Sequence, residues 1–174
     1  ADRVAALNAQ LPQITTDRLI LRPCLITDWP VLEPIFTTER AKHIGGPMSA
    51  HDAWLDFNQL VAGWLLRGHG SLTITAKSDG AVLGLVLLGH EFVDPFPELG
   101  WLLTEAAEGH GYATEAARAL RDWGVDLLGH DGFVSYIYDE NTPSIRVAEK
   151  LGAVRTADFP DHPDLGIYRY GGAK

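Results

Sequence analysis

Sulfur is scarce in this chain, which has one cysteine, Cys24, and one methionine in 174 residues. A single thiol excludes an internal disulfide and any cysteine-rich metal site. Bases are scarce too, 14 against 23 acids, for a formal net charge of −9. Nonspecific nucleic-acid binding wants a basic face, so the balance argues against that class. The acidic balance either steers cationic partners such as amines towards the surface or simply keeps the chain soluble. No apolar run approaches the length needed to cross a bilayer, so no membrane role is expected. The opening Ala1-Asp2-Arg3-Val4-Ala5-Ala6-Leu7 lacks the apolar centre of a signal peptide, and the expectation is a cytoplasmic protein. Two phosphate signatures are missing. Gly-Lys-Ser/Thr occurs nowhere, and a GxGxxG fingerprint fails at its third glycine, where Thr114 stands.

What remains is an ordinary globular composition, 46% hydrophobic and 21% charged, at a length that suits one domain with a substantial core. Residues 1–174 are expected to form that single domain, with 1–13 as a lead-in. The most informative stretch is Glu108-Gly109-His110-Gly111-Tyr112-Ala113-Thr114-Glu115. Two glycines stand directly before a helix expected over 113–128. The first N–H groups of a helix have no intrahelical partner, and the macrodipole makes that end positive. Glycines upstream let the chain turn sharply and bring those donors close to a phosphate, with no lysine required. A plain tight turn explains the same two glycines.

The context decides between them. Upstream is the strand candidate Glu98-Leu99-Gly100-Trp101-Leu102-Leu103. Downstream come Phe133-Val134-Ser135-Tyr136-Ile137-Tyr138, then Asn141-Thr142-Pro143-Ser144 and Lys150-Leu151-Gly152. This order resembles the GNAT N-acetyltransferase superfamily, and within it the branch of ribosomal-protein N-terminal acetyltransferases. That family's pyrophosphate loop, Gln/Arg-x-x-Gly-x-Gly/Ala, falls on Glu108, Gly111 and Ala113. Its Asn-x-x-Ser and Lys-x-Gly fall on Asn141, Ser144, Lys150 and Gly152. The opening Thr16-Asp17-Arg18-Leu19-Ile20-Leu21-Arg22-Pro23 resembles the branch's first strand, so the likeness covers residues 14–170.

The resemblance implies acetyl-CoA as acetyl-donor substrate and no metal. It places the donor against Leu102, Leu103 and Thr104, the loop residues Gly109, His110, Gly111, Tyr112, Ala113 and Thr114, and then Asn141, Ser144 and Lys150. One position departs from the pattern. Glu108 stands where the family has Gln or Arg, so either its side chain points away from the polyanion or donor affinity suffers.

Along the chain, a short helix is expected over 5–10 and a first strand at 19–22, stopped by Pro23. Thr27 or Asp28 can cap a helix through Trp29, with Pro30 in its first turn. After the breaker cluster His43-Ile44-Gly45-Gly46-Pro47-Met48, Ser49 caps a second helix. Its apolar face carries Trp54, Phe57, Val61, Trp64 and Leu65. In the family these two helices flank the acceptor site, which makes their connecting loop a candidate substrate wall. Strands follow at 71–76, 81–90 and 98–104, with Ser78-Asp79-Gly80 as a hairpin turn. Then come the 113–128 helix, an Asp131-Gly132 turn, a strand at 133–138, a helix at 142–151, and a strand pair at 153–156 and 166–170. This order gives an α/β (α+β) three-layer sandwich with a mixed, mostly antiparallel sheet flanked by helices. One long crossover, from 98–104 to 133–138, makes a parallel pair. The family splays that pair at the donor site.

Acetyl transfer to an amine needs a proton acceptor, because a free amine is mostly protonated at neutral pH. Glu98, at the start of the donor-lining strand, is the candidate base; the alternative is a surface acid at a strand end. Asn141 serves equally as a helix N-cap. Ser144, by resemblance, faces the thioester sulfur. Many family members carry a tyrosine acid seven residues after the Asn, but Ala148 stands there, leaving Ser144 or water to protonate the thiolate. Tyr136 and Tyr138 are in the wrong register to replace it. Among the seven histidines no metal spacing occurs, and His110 can approach a phosphate. Trp101 lines either the acceptor pocket or the core. Cys24 has no visible His partner for a nucleophile role. Two functions survive. One is an acetyl-CoA-dependent N-acetyltransferase acting by direct attack of a primary amine, either a protein N-terminus or a small molecule. The other, suggested by Ala148 and Glu108, is a non-catalytic coenzyme A-binding or sensory module.

Overall fold

The computed structural model describes residues 2–129 and 132–171. Five α-helices and eight strands run in the order α1 (Asp2–Asn8), β1 (Ile14–Thr15), β2 (Leu19–Pro23), α2 (Trp29–Thr37), α3 (Ala50–Leu66), β3 (Ser71–Ala76), β4 (Val82–Gly89), β5 (Glu98–Leu103), α4 (Tyr112–Leu128), β6 (Val134–Tyr138), α5 (Thr142–Lys150), β7 (Ala153–Phe159) and β8 (His162–Tyr170). One sheet takes all eight strands in the order β1-β2-β3-β4-β5-β6-β8-β7. Every neighbouring pair is antiparallel except β5 and β6, the expected parallel pair.

Strand alternation builds the three layers. On β4, Val86 and Leu88 join the core on the α4 side with Leu72, Ile74, Leu99, Ala116 and Leu120. Leu85 and Leu87 point the other way, into a second core with Leu32, Phe36, Phe57 and Leu60 of α2 and α3. Successive side chains point to opposite faces, so a strand covered on both sides reads as a continuous apolar run, Val82-Leu83-Gly84-Leu85-Val86-Leu87-Leu88. The α4 helix buries Ala116, Ala117, Leu120 and Gly124, a three- and four-residue spacing that presents one face to the sheet. Ser49 caps α3 as expected, its side chain accepting from the Asp52 N–H.

Four readings are corrected. The first helix lies earlier, at Asp2–Asn8 rather than 5–10. A two-residue strand, β1, pairs with β2 ahead of it. The β7–β8 hairpin is longer than 153–156 and 166–170, because it continues to the pair Phe159–His162 and turns at Asp161, whose φ is 62°. Asp28 does not cap α2 with its side chain. Its carboxylate instead takes both Arg22 Nη donors at 2.7 Å, the Leu25 N–H at 2.9 Å and the Thr73 hydroxyl at 2.8 Å. A buried carboxylate demands several donors, and the local cap site offers too few. Of the expected Asp131-Gly132 turn, Asp131 lies outside the described residues.

Candidate active site

β5 and β6 share one rung, Glu98 opposite Val134. Below it the Val134 N–H donates to Pro97 O. Above it the buried Ser135 hydroxyl donates to Leu99 O. Beyond that point no further pair joins them among the described residues, so the strands form a fork that opens towards the C-terminal end of β5. Which main-chain groups line the fork follows from the β4–β5 register. Thr104 N–H donates to Leu83 O, in register with Gly84↔Leu103. Antiparallel pairs alternate between hydrogen-bonded and open. Leu103, Trp101 and Leu99 therefore turn their N–H and C=O groups away from β4 and into the fork. That edge can receive an extended ligand as an added strand would be received. The strand ends at Leu103, so Thr104 stands at the mouth.

The loop beyond the mouth holds its glycines in left-handed conformations, φ 76° at Gly109 and 79° at Gly111. Gly111 is the N-cap of α4. The Glu108 N–H donates to Glu105 O, and the next main-chain amide to find an acceptor is that of Glu115, on Gly111 O. The six amides from Gly109 to Thr114 donate to no protein acceptor among the described residues. A Cβ on Gly109 would meet nothing within 4 Å. This is a main-chain cradle of neutral donors at a helix start, and it fits the diphosphate of acetyl-CoA. Sequence reasoning missed two arginines that frame it. Arg18 puts Nη1 on His110 O at 3.0 Å, Nε on a Glu115 carboxylate oxygen at 2.7 Å, and its plane over the Tyr112 ring. Burial works against the Glu115 charge, but donors from Thr16 and Arg18 hold its carboxyl below the usual range. On the other side, Arg40 pairs with Glu108. The acid at the family's Gln/Arg position is thus occupied by a guanidinium 68 residues away in sequence.

Glu98 is partly buried at the vertex of the fork. Alternation puts it on the face of Leu102, which packs with α2 and α3. Loss of water pushes its carboxyl up to about 8, with the nearby Asp94 and Glu91 adding to the shift and the Tyr136 main chain opposing it. A carboxyl poised near neutral pH suits a general base.

Asn141 caps α5, its side chain accepting from the Ser144 N–H at 3.3 Å. The helix start explains Asn141, and it sets Ser144 in the first turn, partly buried. Ala148 is fully buried in the core, so that position presents no acid to the fork. The Tyr136 hydroxyl is fixed on Phe96, donating to its O at 2.9 Å and accepting from its N–H at 3.0 Å. Lys150 is exposed at the last turn of α5. Trp101 packs against the core on the α4 side, which is the core reading of that residue. Cys24 lies against Ser71, and burial pushes its thiol up, away from nucleophile chemistry. Among the described residues no group of three His, Cys, Asp or Glu side chains could hold a metal ion. No helix there is long and apolar enough to cross a membrane.

A cleft of ≈ 440 Å³ opens at the C-terminal end of β6, lined by Lys42, Tyr138, Asp139, Glu140 and Asp164. Lys42 belongs to the 3₁₀ turn Glu39–His43, the start of the expected substrate wall. His43 of the same turn faces the Glu140 carboxylate at 3.3 Å. Glu98 does not line this cleft. Val134 and Tyr138 are four residues apart on β6, roughly 13 Å along a strand.

Residues 18–154 match the Acetyltransferase (GNAT) domain family. The chain is 38% identical to an acetyltransferase of Agrobacterium tumefaciens str. C58 of known structure, with a TM-score of 0.87 over 92% of this chain and 95% of that one. It is 27% identical over 150 residues to the uncharacterized N-acetyltransferase YnaD of Bacillus subtilis (strain 168), covering 84% of this chain and 85% of the relative. At 18% identity it shares its fold with the microcin C7 self immunity acetyltransferase MccE, whose structure is a complex with acetyl-CoA and AMP. There the TM-score is 0.64, over 88% of this chain and 92% of that one.

Proposed function

This chain belongs to the GNAT acetyltransferase family, and we propose that it acetylates a primary amine by direct attack on acetyl-CoA, with Glu98 as the base. The reading treats residues 1–174 as one acetyltransferase domain acting in the cytoplasm, with Cys24 the single thiol. One observation carries it: a carboxyl raised to about 8 stands at the closed end of a fork whose open end meets a row of free amides.

Acetyl-CoA supplies an activated thioester, in which the new C–N bond replaces C–S. The amides of residues 109–114 hold the diphosphate. The fork-facing groups of Trp101 and Leu103 align the pantetheine arm, with Leu102 and Thr104 flanking it. Asn141 and Lys150 bound the far side. Glu98 takes the proton released by the attacking amine, directly or through one water, and Ser144 or water donates the proton taken by the departing thiolate. The balance closes with an amide, a thiol and one proton returned to solvent. The cleft at the end of β6, with three carboxylates and one ammonium, would draw a cationic amine towards the fork, whether a protein N-terminus or a small molecule. The attack itself takes place at the vertex, where Glu98 stands. The test is release of free thiol from acetyl-CoA across a panel of amines. Turnover with at least one amine is expected. Binding of acetyl-CoA with no thiol release from any amine would favour the non-catalytic module that the buried Ala148 suggests.

A further inference from the structure

Two arginines contact the 108–115 stretch, and their donors are used very differently. Arg18 is committed: Nε and Nη2 to Glu115, Nη1 to His110 O, and its face to Tyr112. Arg40 is not. Its Nη2 donates to Leu103 O at 2.8 Å and pairs with Glu108. Its Nε is buried and reaches no acceptor among the described residues. A buried, charged donor without a partner is unfavourable and points to an acceptor that arrives later. Leu103 O is a fork-facing group at the mouth, so the guanidinium stands between the strand edge and the phosphate cradle. Its present partner is a largely solvated carboxylate, the Glu108 side chain being 59% exposed against 22% for Arg40, and water can take over that partner when another anion arrives. No lysine occurs between Lys77 and Lys150 to serve instead.

Resting on the acetyl-CoA reading above, we propose that Arg40 is a donor-binding residue. Its guanidinium is kept at the mouth by Glu108 and Leu103 O, and it turns to the diphosphate when that group settles on the 109–114 amides. It thereby supplies from the Glu39–His43 turn the positive charge that Glu108 denies to the loop. A diphosphate, with one negative charge on each phosphate, outcompetes a solvated carboxylate for a planar guanidinium, because bidentate, charge-assisted bonds are the stronger ones.

The experiment is titration calorimetry of the full chain with CoA and with S-acetylpantetheine, which lacks the diphosphate. The parent is compared with Arg40→Ala and Arg40→Lys, with thermal melts to verify folding. Arg40→Ala should weaken CoA binding about ten- to a hundredfold, the range for a charged hydrogen bond, and leave S-acetylpantetheine unchanged. Arg40→Lys should recover part of the loss, since it keeps the charge and loses the fork geometry. Equal CoA affinity in both variants overturns the proposal. Equal losses with both ligands also overturn it, since they indicate a structural role alone. A parent chain that binds no CoA would instead sink the acetyl-CoA reading itself.

Discussion

Glu98 lies opposite Val134 at the one rung shared by β5 and β6 among the described residues. This partly buried carboxyl at the start of β5 therefore sits where the fork closes, away from the 109–114 loop and from the acidic cleft. A ligand threaded tip-first from the loop would bring its reactive end towards this vertex.

The pH–rate profile follows from that position. With the Glu98 carboxyl at about 8, kcat/KM should climb with pH and level off above that value as the base ionises. Glu98→Gln should lower kcat roughly 10²–10⁴-fold at neutral pH. A variant with the parent's profile would remove Glu98 from the mechanism and turn attention to Glu39 and Asp52.

Stability should respond to the same group in the opposite direction. Its carboxyl is raised in the folded chain, so the folded state binds the proton more tightly than the unfolded one. That contribution is fully present below the ordinary value of 4.5, fades as pH rises, and is lost above about 8. Thermal melts of Glu98→Gln should therefore match the parent near pH 4.5 and exceed it at pH 9. Parallel curves across the range would contradict the shift.

Asp28 is the converse case. Burial alone would raise its carboxyl, yet donors from Arg22, Leu25 and Thr73 hold it below the usual value of 3.8. Its contribution is present above that value and is lost as pH falls below it. Asp28→Ala strands the Arg22 charge and should cost about 3–5 kcal/mol in denaturant unfolding. Replacing Arg22 by Met in the same chain should restore much of this. A cost of the alanine variant under ~1 kcal/mol, the exposed-pair range, would rule out the buried-pair account.

Gly111 at φ 79° is the position where a side chain meets backbone strain rather than crowding; the nearest atom to a built Cβ is Arg18 Nη2 at 3.6 Å. A β-branched residue disfavours this conformation by ~1–2 kcal/mol or more. Gly111→Val should bind CoA far more weakly than the parent, and calorimetry showing equal affinity would displace the cradle from this loop.

Ser135 is the wedge at the fork's closed end, its hydroxyl on Leu99 O and within 2.6 Å of the Tyr170 hydroxyl. Ser135→Ala leaves two buried polar groups short of a partner and should destabilise the chain by about 1–3 kcal/mol. An unchanged unfolding midpoint would mean that water replaces the hydroxyl.

The sequence carried local periodicity well and distant partners poorly. The strand at Ser71–Ala76 was legible to the residue because glycines and the Ser78-Asp79-Gly80 turn bound it on both sides. The sharp turn ahead of α4 was legible because Gly109 and Gly111 take left-handed conformations that glycine adopts without strain. The far half of β7–β8 was not: Asp158-Phe159-Pro160-Asp161-His162-Pro163-Asp164 reads as a loop, and pairing across a two-residue turn overrides that composition. Asp28 has cap chemistry locally, and its real partners, Arg22 and Thr73, come from two strands. Arg18 and Arg40 meet the loop across 92 and 68 positions, and no pattern within a short window encodes such distances.

The six donors of the 109–114 loop belong to peptide bonds and not to side chains. Their placement depends on the two left-handed glycines and not on which side chains stand at 110, 113 and 114. The cleft at the end of β6 is the opposite case. Its charges belong to the side chains of Lys42, Asp139, Glu140 and Asp164, so a single substitution there changes the lining directly, while one in the loop leaves the row of peptide donors in place.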